Sequence, residues 1–378
     1  MSSEPPVPET SVLAVASHVV SGHVGNKIAV FVLQSLGCDV SALNTVQFSN
    51  HTGYRRFKGT RLSAQEITDL WDGLKQSHLD TFDMMLSGYV PGAAGVESVG
   101  AIAKELKENA KSRPGGFFWV LDPVMGDNGK IYVAEDVVPK YRELISSADL
   151  ILPNQFEAEL LSGVKITDSA SLSRAIEVLH STFNIPHIVI TSVSLPIITP
   201  SQTPTSTRPT SPTQSQVPQT PTMSVVGSSR TSEGKPRLFT IQFPVFKAYF
   251  SGTGDMFAAL MVVRMREAVC DDVEFGTRER ESWLSPDQVE ATDLPLARAA
   301  EKVLASMHEV LLRTCEGMES QLQEAVKRLA GRRGVEESAV REDADAMHLL
   351  RSQAAELKLS RNLACLRGPS VEYRAVRM

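Results

Sequence analysis

From Ser11 onward, short β-branched runs alternate with stretches of helical spacing, and this alternation limits the available folds more than any other feature. SVLAVASHVV opens as a strand on Val12, Leu13 and Val15. VGNKIAVFVLQSLG then places Ile28, Phe31, Val32 and Leu36 at helical spacing and stops at Gly37. DVSALNTVQF, DMMLSGY, FFWVLDP, DLILP and HIVITS read as further strands. The helices between them include Ile67 to Leu79, AIAKELKENA, the run around VVPKYRELI, FEAELLSG and SLSRAIEVLHST. Strands separated by helices of about ten to fifteen residues require right-handed crossovers. The expected class is therefore α/β, a mostly parallel central sheet flanked by helices on both faces.

Two segments break the rhythm. Thr199 to Thr222 is almost wholly Thr, Ser, Pro and Gln, so it buries too little apolar surface to offset chain entropy and reads as a disordered surface insertion. Asp271 to Asp293 is acidic and irregular, and reads as a second loop insertion. Between them SVVGSS and RLFTIQFP form a candidate strand pair. Leu296 to Ala330 carries Val303, Met307, Val310, Leu311 and Met318 at the spacing of a long amphipathic helix. The expected organisation is a disordered tail over 1–10, one domain over 11–325 with insertions at 199–222 and 271–293, and a charged, partly flexible segment over 326–378. VEYRAVRM, at the end of that segment, is a candidate edge strand.

Charge and cysteine usage narrow the function. A net charge of −6 argues against nucleic acid or an anionic membrane surface as partner, since both select basic proteins. Cys38, Cys270, Cys315 and Cys365 lie far apart with no CxxC pair, which argues against zinc and a disulfide framework and fits a reducing compartment. MSSEPPVPET has neither a basic n-region nor an apolar h-region, and no apolar run reaches membrane-spanning length. A cytoplasmic protein is expected.

GxGxxG and GxxxxGK[ST] are both missing from the places where dinucleotide and Walker loops need them. YFSGTGDMFAAL offers something different: a strand entering Gly252-Thr253-Gly254, then a helix beginning near Asp255. Glycines there let successive amides converge at a helix N-terminus, where the dipole favours an anion. A tight turn with Asp255 as the helix cap satisfies the same residues, and both readings stand on this stretch alone.

In a parallel α/β sheet the strand C-termini form the ligand rim. Ser17, His51 and Thr52, Tyr89, Asp122, Asn154 and Thr191 all fall at such ends. Asp122 and Asp127 put two carboxylates on one strand-end loop, with Asn154 and Glu157 at the next. These oxygen donors suit Mg²⁺ held through its waters beside a nucleotide phosphate. Glu159 reads as a solvated first-turn charge. HVVSGHVGN and VQFSNHTGY combine hydroxyls and imidazoles with apolar Val24, Val46 and Phe48, a mixture suited to a small polar aromatic ligand. His18, His23 and His51 have no metal-ligand spacing.

SHVVSGHVGN, LNTVQFSNHTGY, LDPVMGD, PNQFEAELLSG, VITS and SGTGDMFAA together resemble, in order, the motifs of the pyridoxal kinases of the ribokinase-like superfamily. The resemblance runs from about Val12 to Gly317. It implies a ribokinase-like fold and ATP-dependent phosphorylation of the 5′-hydroxymethyl group of pyridoxal, pyridoxine and pyridoxamine. It implies Asp255 as catalytic base and Ser17 and Thr52 against the polar edge of the pyridine ring. Tyr89 would pack on the ring, and Val24, Val46, Phe48 and His51 would line the pocket beside Gly254. Asp122, Asn154, Glu157, Thr191 and Ser192 would surround ATP and its cations, with Asp127, Glu157 and Thr191 nearest the metal. Phe246, Ala248, Gly252, Thr253 and Gly254 would lie against the nucleotide. Mg²⁺, a monovalent cation such as K⁺ and a homodimer are implied as well. The alternatives are a hydroxymethylpyrimidine kinase of the same superfamily and a catalytically weak pyridoxal phosphate-binding relative.

The chain departs from the family pattern at Leu152, where Thr usually precedes PN, and at Ala16, where Gln is expected. GDNGKIYV, in the stretch that forms the lid over ATP, is short, and Lys247 takes a position that is often acidic. The Leu152 exchange bears on dependence on K⁺.

Overall fold

The computed structural model describes residues 4–195 and 221–378. In chain order the strands are β1 (Ser11–Val19), β2 (Asp39–Phe48), β3 (Gly59–Arg61), β4 (Met84–Ser87), β5 (Phe118–Leu121), β6 (Gly126–Asp127), β7 (Lys130–Ile131), β8 (Leu150–Ile151), β9 (His187–Val193), β10 (Thr222–Arg230), β11 (Pro236–Pro244) and β12 (Val376–Arg377). The ten-stranded sheet runs β12-β11-β10-β9-β8-β5-β4-β1-β2-β3, and β6 pairs with β7 apart from it. Pairings from β9 through β8, β5, β4 and β1 to β2 are parallel. Both margins, β3 on one side and β10 to β12 on the other, are antiparallel.

Helices α1 (Asn26–Ser35), α2 (Ala64–Gln76), α3 (Ala93–Asn109), α4 (Val137–Leu144), α5 (Gln155–Ser162) and α6 (Ser169–Phe183) supply the crossovers. Then come α7 (Thr253–Asp271), α8 (Pro295–Arg333), α9 (Glu337–Glu342), α10 (Ala344–Ala354) and α11 (Leu363–Arg367). Successive side chains of a strand point to opposite faces, and the central strands divide accordingly. Val12 and Ala14 of β1 and Phe118 and Val120 of β5 join the core beneath α1, α7 and α8. Leu13, Val15, Trp119 and Leu121 join the core on the α2 to α6 side. Helix α7 is buried continuously from Met256 to Met265, which explains its apolar sequence on every side.

Three organisational expectations change. The irregular segment 271–293 runs along the surface but is anchored in the core: Trp283 is fully buried and stacks on Phe118 with ring centroids 4.1 Å apart. Its indole N–H donates to the Gly115 carbonyl at 3.0 Å, and Ser282 donates to Asp149 at 2.6 Å. The segment expected to be partly flexible after residue 325 is largely helical, and its Leu357, Leu359 and Leu366 enter the main core. Within the proposed N-terminal tail, Val7 packs into that same core. Of the Thr/Ser/Pro-rich stretch, residues 199–220 lie outside the described residues, and Thr222 begins β10.

Candidate functional site

Strands β1, β2, β4, β5, β8 and β9 end on the same rim, and one cavity of about 1250 Å³ opens there. That exceeds the ~300–1,000 Å³ of an ordinary single-ligand pocket, so it has room for two ligands side by side. Ser17, Val24, Phe48, His51, Thr52, Tyr89, Asp122, Asp127, Asn154, Glu157, Thr191 and Ser192 all line it. Phe246, Ala248, Gly252, Thr253, Gly254 and Asp255 line it from the other side. Val46 does not: it is fully buried and backs the wall with Val19, Val24 and Phe48, with Tyr89 packed against them.

The glycine turn resolves the alternative left open by its sequence. Gly252 is itself the N-cap of α7, at φ +83°, and no side chain caps that helix. A Cβ on Gly252 would sit 2.2 Å from the His23 carbonyl oxygen, so only glycine allows the turn to press against the loop after β1. Asp255 stands in the first turn of α7, with the Gly25 backbone amide near enough to favour its charged form. Burial pushes its carboxyl above the ordinary range, and the Gly25 amide partly offsets that rise. First-turn amides of a helix have no intrahelical acceptors, so the turn Thr253-Gly254-Asp255 presents donors to the cavity it lines. Gly25 lies at φ +53° with the Ser17 carbonyl pressed against it, where any Cβ would collide at 2.0 Å.

Opposite the turn lies a group of carboxylates. Burial, then the charges of Glu157 and Asp255, raise the Asp122 carboxyl well above its usual range. Burial also raises Glu157, although three backbone amides oppose the shift. Those amides are Met125 at 2.8 Å and Gly126 at 3.3 Å on Oε1, and Asn154 at 3.0 Å on Oε2. Asn154 completes a capping box by accepting from the Glu157 amide at 2.9 Å, and donates to the Gly126 carbonyl at 2.8 Å. Both residues are thus committed to the backbone as well as facing the cavity.

Among the described residues no group of three or more His, Cys, Asp or Glu is arranged to hold a metal by itself. The donor chemistry nevertheless fits a hard divalent cation, which would offset burial and the charges that Glu157 and Asp255 direct at Asp122. Mg²⁺ characteristically takes one or two carboxylates and completes its shell with water and phosphate. With both Glu157 oxygens engaged, that residue would act on such an ion through water.

Several lining residues carried no sequence signal. Met307, His308 and Leu311 reach the cavity from α8, whose apolar spacing was read only as packing. Phe246, His308 and Tyr373 form a chain of ring contacts at 5.1 and 5.2 Å. Glu159, expected to be a solvated charge, is largely covered; it pairs with Lys165 at 2.5 Å and accepts from the Ile166 amide at 3.2 Å. Leu152 is 2% exposed and lines the cavity at the end of β8.

A parallel α/β core with a glycine turn opening a buried helix, and an aspartate in that helix's first turn, defines a ribokinase-like small-molecule kinase. A family model described as phosphomethylpyrimidine kinase matches residues 93–231. The pyridoxal kinase of Ovis aries is 36% identical over 84% of this chain and 90% of its own length. A putative pyridoxal kinase of Schizosaccharomyces pombe is 35% identical over 81% of this chain and 85% of its own. The structure of pyridoxal kinase from Leishmania donovani in complex with ADP and pyridoxamine superposes with a TM-score of 0.70 at 27% identity. That match covers 98% of this chain and 100% of that one. The chain belongs to the pyridoxal kinase family. It is a kinase that phosphorylates vitamin B6 with ATP.

Proposed function

We propose that the chain transfers the γ-phosphoryl group of ATP to the 5′-hydroxymethyl group of pyridoxal, pyridoxine and pyridoxamine, with Asp255 as base. The observation that carries this reading is the shared frame of Asp255 and the acceptor loops. Asp255 lines the same cavity as Ser17, His51, Thr52 and Tyr89, and the Gly25 amide of the loop after β1 favours its charged form. ADP complexes of the Leishmania donovani enzyme with pyridoxamine and with pyridoxine support the same pair of ligands here.

Phosphoryl transfer passes through a loose transition state, so position and charge stabilisation dominate. The amides of Gly252, Thr253 and Gly254 act as the anion hole for the moving group. Asp255 accepts the proton of the acceptor alcohol late in transfer. Ser17 and Thr52 orient the pyridine ring by its polar edge, and Tyr89 packs on its face. Phe246 and Ala248 bound the nucleotide, with Asn154, Thr191 and Ser192 at its phosphate end. Asp122, Asp127, Glu157 and Thr191 would hold Mg²⁺, which would supply neutralisation of phosphate charge. A monovalent cation such as K⁺ would bind at the same end, and Leu152 would alter the dependence on it. The active form is a cytoplasmic homodimer.

Turnover of ATP with each B6 vitamer and with hydroxymethylpyrimidine, in the presence and absence of K⁺, tests the reading. Phosphorylation of the vitamers in preference to the pyrimidine is expected. Absence of turnover with every vitamer overturns it.

A further inference from the structure

Glu356 belongs to the segment after α10, far along the chain from every motif of the site, yet its side chain reaches the acceptor pocket. One oxygen, Oε1, accepts from His51 Nε2 at 3.0 Å and from the Tyr54 hydroxyl at 2.9 Å. The other, Oε2, accepts from the His23 backbone amide at 2.9 Å and lies 3.6 Å from His23 Nδ1. The carboxylate is 12% exposed. These partners sit on two separate loops, the one after β1 and the one between β2 and β3, and both loops carry pocket residues. His23 also places its carbonyl against Gly252, in the turn that opens α7.

The approach is built into the backbone. Gly22 lies at φ +102°, and a Cβ there would come within 2.7 Å of Glu356 Oε1. A residue with a side chain would expel the carboxylate. Helix α10 reinforces the contact: His348 Nε2 donates to the Gly53 carbonyl at 2.9 Å, and Asp345 pairs with Arg56 at 2.9 Å. The second of these is exposed and contributes little. His348 and Glu356 bind the backbone and side chains of the acceptor loop itself.

The carboxylate also determines what His51 offers. Because Nε2 faces a carboxylate, it carries the hydrogen, and in the neutral ring Nδ1 is left as an acceptor. Nδ1 of His51 is buried and has no hydrogen-bond partner among the described residues, although the residue lines the cavity.

We infer that Glu356 is a positioning residue of the acceptor site, clamping the two pocket loops and fixing the orientation of the His51 ring that lines the pocket. The inference rests on the acceptor pocket assigned under the proposed function. Its role is in acceptor binding; the nucleotide half of the cavity does not depend on it.

The test compares wild type with Glu356→Gln and Tyr54→Phe by steady-state kinetics, ADP binding calorimetry and thermal unfolding. Gln keeps the size of Glu but cannot accept at both ends, since its amide nitrogen is a donor. The expected result for Glu356→Gln is a KM for pyridoxal raised about tenfold or more, the scale of a lost charged hydrogen bond. KM for ATP and affinity for ADP should stay within about twofold, because a uniform structural defect would move them together. Tyr54→Phe removes one donor and leaves the rest of the clamp, so it should raise KM for pyridoxal in the same direction by less. An unchanged KM for pyridoxal in folded Glu356→Gln, or equal losses for both substrates, overturns the inference. If Glu356→Gln fails to fold, Tyr54→Phe decides: a raised KM for pyridoxal alone supports the clamp, and an unchanged one overturns it. Failure of the wild type to turn over any vitamer overturns the functional reading instead, so the two failures are distinct.

Discussion

The His23 carbonyl oxygen lies so close to Gly252 that a Cβ there would sit 2.2 Å from it, joining the loop after β1 to the turn that opens α7. The contact matters because it goes with Gly252 as the N-cap, so Asp255 does not cap its helix. Asp255 instead lines the cavity, where an acceptor alcohol would bind.

Asp255→Asn should lower kcat by about 10²–10⁴-fold, the usual contribution of a positioned base. KM for ATP and for pyridoxal should change little, since Asn is isosteric with Asp. Steady-state kinetics with parallel ADP binding checks this. Turnover near the wild-type level would remove the assignment.

The two glycines of the turn should fail in different ways. Gly252→Ala forces a left-handed residue, costing about 1–2 kcal/mol from backbone strain alone, and drives a methyl into the His23 carbonyl. Its melting temperature should fall. Gly254→Ala meets nothing closer than Asp122 Oδ2 at 3.9 Å, so stability should hold while the methyl crowds the phosphoryl path. A kcat/KM reduced about tenfold or more at unchanged Tm is expected. Equal melting temperatures for both variants would contradict the geometry.

Acid stability should carry the signature of two buried neutral imidazoles. His180 binds the Ile185 carbonyl and Ser228, and His187 binds Ser229 and the Ser282 carbonyl. Burial, the leading cause, depresses His180 from 6.5 to about 4 and His187 from 6.5 to about 3. As pH falls below 6.5 the unfolded chain takes up protons that the folded chain refuses, which favours unfolding. The stability is complete above 6.5 and is lost progressively toward pH 4 and then 3. Thermal unfolding from pH 7.5 to 4.5 should show a steeper decline in wild type than in a His180→Gln/His187→Gln variant. Parallel profiles would rule the pair out as the source.

Trp283→Ala tests the status of residues 271–293. Removing a fully buried indole stacked on Phe118 should cost about 3–5 kcal/mol, read as a lower urea midpoint at unchanged m-value. A loss below about 0.5 kcal/mol would contradict that anchor.

The legible part of the molecule was the part with a period. Near-continuous apolar runs in β1 and β5 announce a sheet covered on both faces, and the polar residues just past each strand mark the cavity rim. Val46 shows the limit: it shares a face of β2 with Phe48, but pattern alone does not reveal that it lies one layer deeper. Trp283 was hidden because its segment is irregular, held by single long-range contacts that leave no periodic trace. Glu356 was hidden for the same reason. A carboxylate among charged neighbours looks solvated until its distant partners, His51 and Tyr54, are brought to it.

The clamp by Glu356 also bears on the order in which the protein becomes competent as it is made. All the motif residues of the cavity, from Ser17 to Asp255, precede it in translation, and domains begin to fold while synthesis continues. A nascent chain can therefore have every motif residue of the site exposed to the cell while its acceptor loops still lack their last constraint. Vitamer affinity is expected to mature late, when the C-terminal segment docks. Premature termination before Glu356 would leave a chain with the signature of the enzyme and without a finished acceptor pocket.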